Sequence, residues 1–228
     1  TPPESEIGNR KSAMLVTASL LALFAAALLA APASGAEVGP EDVARAIERG
    51  RNVLIGSQAA LQPVPRRPGA RALVVLALLQ TGVAPTDPQI EQAVKAFSGD
   101  LSGDTYDVGL SAMALAAVDP TRFAPDLRQA AAWLSQAQNR DGGWRYRIVG
   151  GGAQASDHSC TQFALLGLHA ASEAGVAADP AVWRRAESYL AQTQQADGGW
   201  TYQGRSGTSF GSMTAASIGS LYLCERLS

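Results

Sequence analysis

The chain has 228 residues, 46% of them hydrophobic and 17% charged, with a formal net charge of −2. That is enough apolar material for one globular domain with a sizeable core. The near-neutral charge excludes nucleic-acid binding by bulk electrostatics.

The first segment, residues 1–36, has a secretory layout. Arg10 and Lys11 form a basic start, Met14 to Ala31 is an apolar run rich in Leu and Ala, and small residues follow at Ala31-Pro32-Ala33 and Ser34-Gly35-Ala36. It is read as a signal peptide. The competing reading is an uncleaved membrane anchor through residues 14–33, because the run is close to the ~20 residues that span a bilayer. No cysteine follows it, which excludes a lipoprotein anchor. Either reading exports residues 37–228 to the periplasm or cell envelope.

The rest reads as helices in pairs. Val43, Ile47 and Leu54 mark one face of a helix over 41–58. Arg71 to Leu79 carries an apolar helix, 70–81, ended by Gly82. Asp87-Pro88 starts the next, 87–98, with Asp as N-cap and Pro at the first helical position; Ile90, Val94 and Phe97 follow at helical spacing. Asp107 opens an apolar helix over 107–117, and an amphipathic one follows over 124–138. Residues 158–172 are apolar again. Asp179-Pro180 repeats the capping arrangement before Trp183, Ala186 and Leu190 in 179–195, and 211–225 is the last apolar helix.

Two segments match at a constant offset of 56 residues. Gln136 leads into Asp141-Gly142-Gly143-Trp144, and Gln192 leads into Asp197-Gly198-Gly199-Trp200. The apolar helices behind them match at an offset of 53, with Ser159 aligned to Ser212. Fixed-period similarity is the signature of stacked helical units. A helix apolar on every face must be buried on every face. Two layers satisfy this, with the apolar helices inside and the amphipathic helices outside, one face wet. Strand signals are nearly absent. The predicted fold is all-α: an α/α-toroid, or an arc of one, of about four helix pairs.

The Gln-x2–4-Asp-Gly-Gly-Trp pattern resembles the QW repeat of squalene/hopene cyclases, related to the repeats of protein prenyltransferase β-subunits. The resemblance covers roughly residues 41–228. It implies an α/α-toroid with a central apolar cavity. Asp104-Thr105-Tyr106-Asp107 and Asp157-His158-Ser159-Cys160-Thr161-Gln162 look most like exported bacterial members of this group. In longer relatives a separate α/β domain often follows, so a fragment whose function sits in a C-terminal domain is one reading of this chain.

The repeat motif itself reads as structural. Asp-Gly-Gly leaves the helix through positive φ, the Trp packs back on helix ends, and the Gln amide reaches orphan backbone groups. That assigns structural roles to Gln136, Asp141, Gly142, Gly143, Trp144, Gln192, Asp197, Gly198, Gly199 and Trp200.

Chemistry, if present, belongs on the rim where the N-termini of the apolar helices meet. Asp104 and Asp107, then Asp157, His158 and Ser159, then Ser209, Phe210 and Ser212 fall there. Asp157, His158 and Asp107 are the catalytic candidates. The cyclases' Asp-x-Asp-Asp-Thr motif, laid on this chain, reads Asp157-His158-Ser159-Cys160-Thr161, so Ser159 stands in the proton donor's place and Cys160 in the next. Asp157 alone has the position of an N-cap, an acceptor's role and not a donor's.

The resemblance to prenyltransferases implies zinc held by Asp, Cys and His. Here the spacing is Asp-x2-Cys instead of Asp-x-Cys, and His169 lies about 16 Å from His158 by helix rise. No metal and no cofactor is expected. Ser159 with His158 is not a triad, because adjacent helix side chains diverge. Gly150-Gly151-Gly152 lacks the Lys-Ser/Thr of a phosphate cradle. Arg66, Arg67 and Arg71 read as a solvated basic loop. Cys160 and Cys224 fall about 16 Å apart along the helix axis, too far for a disulfide.

The expected function is therefore an exported binding or scaffold module without cyclase activity. Its ligand, lipid-like or protein, would sit in the central cavity or on the rim. The alternative is an enzyme on isoprenoid substrates, a cyclase or a prenyltransferase.

Overall fold

The computed structural model describes residues 38–56, 68–99, 101, 103–146, 155–205 and 207–228. The leader, the anchor at 14–33, Arg66, Arg67 and Gly150-Gly151-Gly152 lie outside the described residues. Eight helices occur among the described residues: α1 (Pro40–Gly56), α2 (Pro68–Gln80), α3 (Pro88–Val94), α4 (Thr105–Val118), α5 (Ala124–Ala137), α6 (His158–Glu173), α7 (Pro180–Thr193) and α8 (Gly211–Leu227). The one β pairing among them is an isolated bridge between Trp144 and Asp157. None of these helices is long and apolar enough to cross a membrane.

The chain divides into two compact units, Thr1–Ala46 and Ile47–Ser228, with the boundary inside α1. In the first unit, the Asp42 carboxylate accepts from the Gly39 amide at 3.0 Å and pairs with Arg45. In the second unit, Arg51 Nη1 donates to Thr81 O at 3.3 Å. No residue of α1 is buried, and Val53 is 67% exposed. The sequence reading gave α1 one covered face; in the structure Val43, Ile47 and Val53 are exposed, and Leu54 and Ile55 are only partly covered.

Within the second unit the apolar helices α2, α4, α6 and α8 pack side by side in that order, and the amphipathic helices back them. α3 lies on α2, α5 lies on both α4 and α6, and α7 lies on α8. α5 buries Leu127, Ala130, Leu134 and Ala137, spaced three or four apart. α7 buries Val182, Ala186 and Tyr189 in the same manner. Each such leucine or valine contributes about 1.5–3 kcal/mol on leaving water.

α4 is covered throughout its first ten positions, apart from Asp104 before it and a half-buried Tyr106. Glycine explains how closely α6 approaches it. A Cβ on Gly109 would lie 2.4 Å from Phe163 O, and one on Gly167 would lie 2.8 Å from Gly109 Cα. α8 departs from the expectation that apolar helices are buried all round: Ile218 is 58% and Tyr222 55% exposed. It packs on α6 and α7 and has no described helix on its remaining side.

Helix ends differ from the sequence reading by at most four residues. α3 stops at Val94 and not at 98, because the chain turns through Lys95–Phe97 and reaches Gly99 at φ 85°. α4 starts before Asp107: Asp104 is its N-cap and Asp107 lies in its first turn. Asp87 and Asp179 cap α3 and α7 as read from sequence, each with Pro at the start.

The two Trp turns repeat almost bond for bond. Trp144 Nε1 donates to Leu134 O at 2.7 Å, and Trp200 Nε1 to Leu190 O at 2.9 Å. The main-chain N–H of Trp144 donates to Thr161 Oγ1, and that of Trp200 to Thr214 Oγ1, both at 3.1 Å. Asp141 and Asp197 each accept from the glycine amide two residues on and from a serine hydroxyl, Ser156 or Ser209. The indole thus satisfies a carbonyl at the last turn of the outer helix, and the turn's own amide is anchored on the inner helix that follows.

Candidate functional site

A helix begins with amide donors that no earlier turn can satisfy. The residues before α4, α6 and α8 are Asp104, Asp157 and Phe210. Asp104 Oδ1 accepts from the Asp107 amide at 3.0 Å, and Asp157 Oδ1 from the Cys160 amide at 2.7 Å. Phe210 provides no side-chain cap. A further donor on each of the first two helices is taken by the next unit. Thr105 N–H donates to Tyr146 O at 2.9 Å, and His158 N–H to Tyr202 O at 3.0 Å. The main chain two residues past each Trp therefore finishes the preceding inner helix.

Those same two tyrosines bring their rings to the rim. Tyr106 stacks on Tyr146 with centroids 5.3 Å apart and tilts against Phe163 at 4.5 Å. The Tyr146 and Tyr202 hydroxyls lie 3.2 Å apart. The Tyr106 hydroxyl hydrogen-bonds Ser159 Oγ. Burial pushes the Tyr106 phenol well above its ordinary pKa, with the Ser159 hydrogen bond opposing. Beside these rings a cleft of about 350 Å³ opens between the first turns of α2 and α4. Gly69 and Ala70 form one wall, Asp104, Tyr106, Asp107 and Leu110 the other, with Tyr146 alongside.

The three catalytic candidates each hold a structural position. Asp107 is buried, and its Oδ1 accepts from the Gly69 amide at 2.8 Å, so it caps α2 from the neighbouring helix. Glycine is needed at 69, since a Cβ there would lie 2.8 Å from Asp107 Cα. Asp157 is buried as the cap of α6. His158 is buried too: its Nδ1 lies 3.3 Å from Tyr202 O and its Nε2 lies 2.8 Å from Thr193 Oγ1. A carbonyl only accepts, so the Nδ1 contact requires the proton on Nδ1; the Thr193 hydroxyl facing Nε2 also donates to Tyr189 O at 2.7 Å. Burial holds the imidazole pKa below its ordinary value, with the bonds to backbone carbonyls opposing. The structure sets Asp157 and His158 side by side but gives them different partners, and it places Asp107 against another helix.

Cys160 and Cys224 are free and buried. Burial raises both thiols, Cys224 to about 12, so neither is a thiolate near neutral pH. Among the described residues no group of three His, Cys, Asp or Glu side chains is placed to hold a metal ion.

Two assignments from sequence are corrected here. The amides that reach the turns belong to Gln138 and Gln194, not to Gln136 and Gln192. Gln138 Nε2 donates to Gly142 O at 2.8 Å and to Val182 O at 2.9 Å, and Gln194 Nε2 donates to Gly198 O at 2.8 Å. Gln136 is exposed on α5, and Gln192 donates to Ser188 Oγ on its own helix. The amide must sit past the last helical residue to turn back on the loop, as Gln138 and Gln194 do and Gln136 and Gln192 do not. Arg71, read as part of a solvated loop, is buried, because α2 starts at Pro68 and puts it on the face of Val75 and Leu78.

Sequence reasoning also missed the rim tyrosines. Their signal was present, since Tyr146 and Tyr202 recur at the offset of 56 along with the Trp turns.

The family model for the squalene-hopene cyclase C-terminal domain matches residues 103–216. A squalene–hopene cyclase from Bradyrhizobium diazoefficiens is 43% identical over 93 residues, which cover 38% of this chain and 14% of that protein. One from Zymomonas mobilis is 31% identical over 172 residues, covering 67% of this chain and 25% of that protein. The chain thus spans a quarter or less of the length of these relatives.

Proposed function

Because the chain belongs to the squalene-hopene cyclase C-terminal domain family, an α/α-toroid fold, we propose that it is a binding or scaffold module that has kept the repeat architecture without the cyclisation chemistry. The observation that supports this most directly is Ser159. It stands where the resemblance places the proton donor, and its hydroxyl is held by Tyr106, a phenol whose acidity burial weakens further. The nearest carboxylate in the motif, Asp157, is engaged on the Cys160 amide. Protonating an alkene demands a strong acid that is protonated and aimed at the substrate. The module takes a lipid-like ligand against its apolar inner helices or a protein ligand on the tyrosine rim. It acts outside the cytosol, delivered or anchored by residues 1–36.

The test is incubation of the purified protein with squalene and with prenyl diphosphates, followed by mass-spectrometric analysis of products. No cyclised or transferred product is expected, while saturable quenching of tryptophan fluorescence reports ligand uptake. Turnover that disappears in Asp157→Asn overturns the proposal. It would establish the second reading, an enzyme on isoprenoid substrates, which the names of the matched relatives favour.

A further inference from the structure

We draw no further inference here: the strongest candidate, the cleft between the first turns of α2 and α4 with its acidic pair Asp104 and Asp107 beside Tyr106 and Tyr146, carries nothing, because both carboxylates already serve as helix caps and no second observation points to a ligand there.

Discussion

The two Trp turns share a motif and a hydrogen-bond pattern, yet their surroundings differ. The first, at Asp141–Trp144, is enclosed. A Cβ on Gly142 would lie 2.1 Å from Arg185 O, Gln138 bridges the turn to α7 through Val182 O, and Arg185 Nε donates back to Gln138 Oε1 at 2.8 Å. The second, at Asp197–Trp200, is open. Nothing lies within 4 Å of a Cβ on Gly198, and Gln194 Nε2 donates to Gly198 O within its own turn. The inner helix behind the first turn is capped by Asp157, while the one behind the second begins at Phe210 with no cap. The motif alone secures the indole; the neighbouring unit supplies the remainder of the stability.

Alanine at the first glycine of each turn should separate the copies most. Both glycines have positive φ, 93° at Gly142 and 84° at Gly198. Gly198→Ala should cost about 1–2 kcal/mol for the backbone conformation alone. Gly142→Ala adds a clash with main chain, a further ~1–3 kcal/mol. Chemical denaturation of the two variants measures the difference, and equal losses would contradict the description of the first turn as enclosed.

The glutamines come next. Gln138→Ala strands partners on two elements and should cost about 1–3 kcal/mol, whereas the exposed Gln194→Ala should cost about 1 kcal/mol or less.

The caps give a smaller effect, of opposite sign in the two copies. Asp157→Ala should lose about 0.5–2 kcal/mol. Phe210 has φ −107° and ψ 136°, the extended geometry an N-cap requires, and its ring is half-exposed. Phe210→Asp should therefore raise the melting temperature by supplying the missing cap, worth about 1 kcal/mol. A fall would show that the ring is held by contacts that outweigh the cap.

Acid should separate the copies least. Both histidines lie on α6, and burial lowers the pKa of each. The unfolded chain takes up protons that the folded chain refuses, so their contribution to stability is complete above the ordinary histidine pKa of about 6.5. It is lost as the pH falls through the lower folded value. Melting temperature measured from pH 7.5 to pH 5 should decline, and His158→Gln should flatten the decline. An unchanged slope in that variant would assign the sensitivity elsewhere.

The architecture was legible because it depends on periodicity. Pro and Asp at helix starts, apolar stripes three and four apart, and the offsets of 56 and 53 are local signals. They placed α5, α6 and α7 to within two residues at either end. What escaped depends on neighbours distant in sequence. Nothing local distinguishes Gln136 from Gln138, since the choice is made by where α5 ends and by Val182 on another helix. The same holds for Asp107, whose partner Gly69 lies 38 residues away. Arg71 was misread because its burial follows from the packing of the α2 face it shares with Val75 and Leu78, which nothing local in the sequence reveals. Asp107, Asp157 and His158 lie at or beside the first turns of α4 and α6, but their partners, which decide whether an acid is a cap or a reagent, came only with the structure.

The carbonyls of Tyr146 and Tyr202 close helices that belong to the unit before them. A helix pair cut at its own ends would therefore lack an acceptor at its inner N-terminus. The module that can be moved, duplicated or grafted runs instead from the start of one inner helix to the tyrosine beyond the next Trp. Recombination that respects helix boundaries breaks this joint, whereas recombination within the segments after Tyr146 and Tyr202 preserves it.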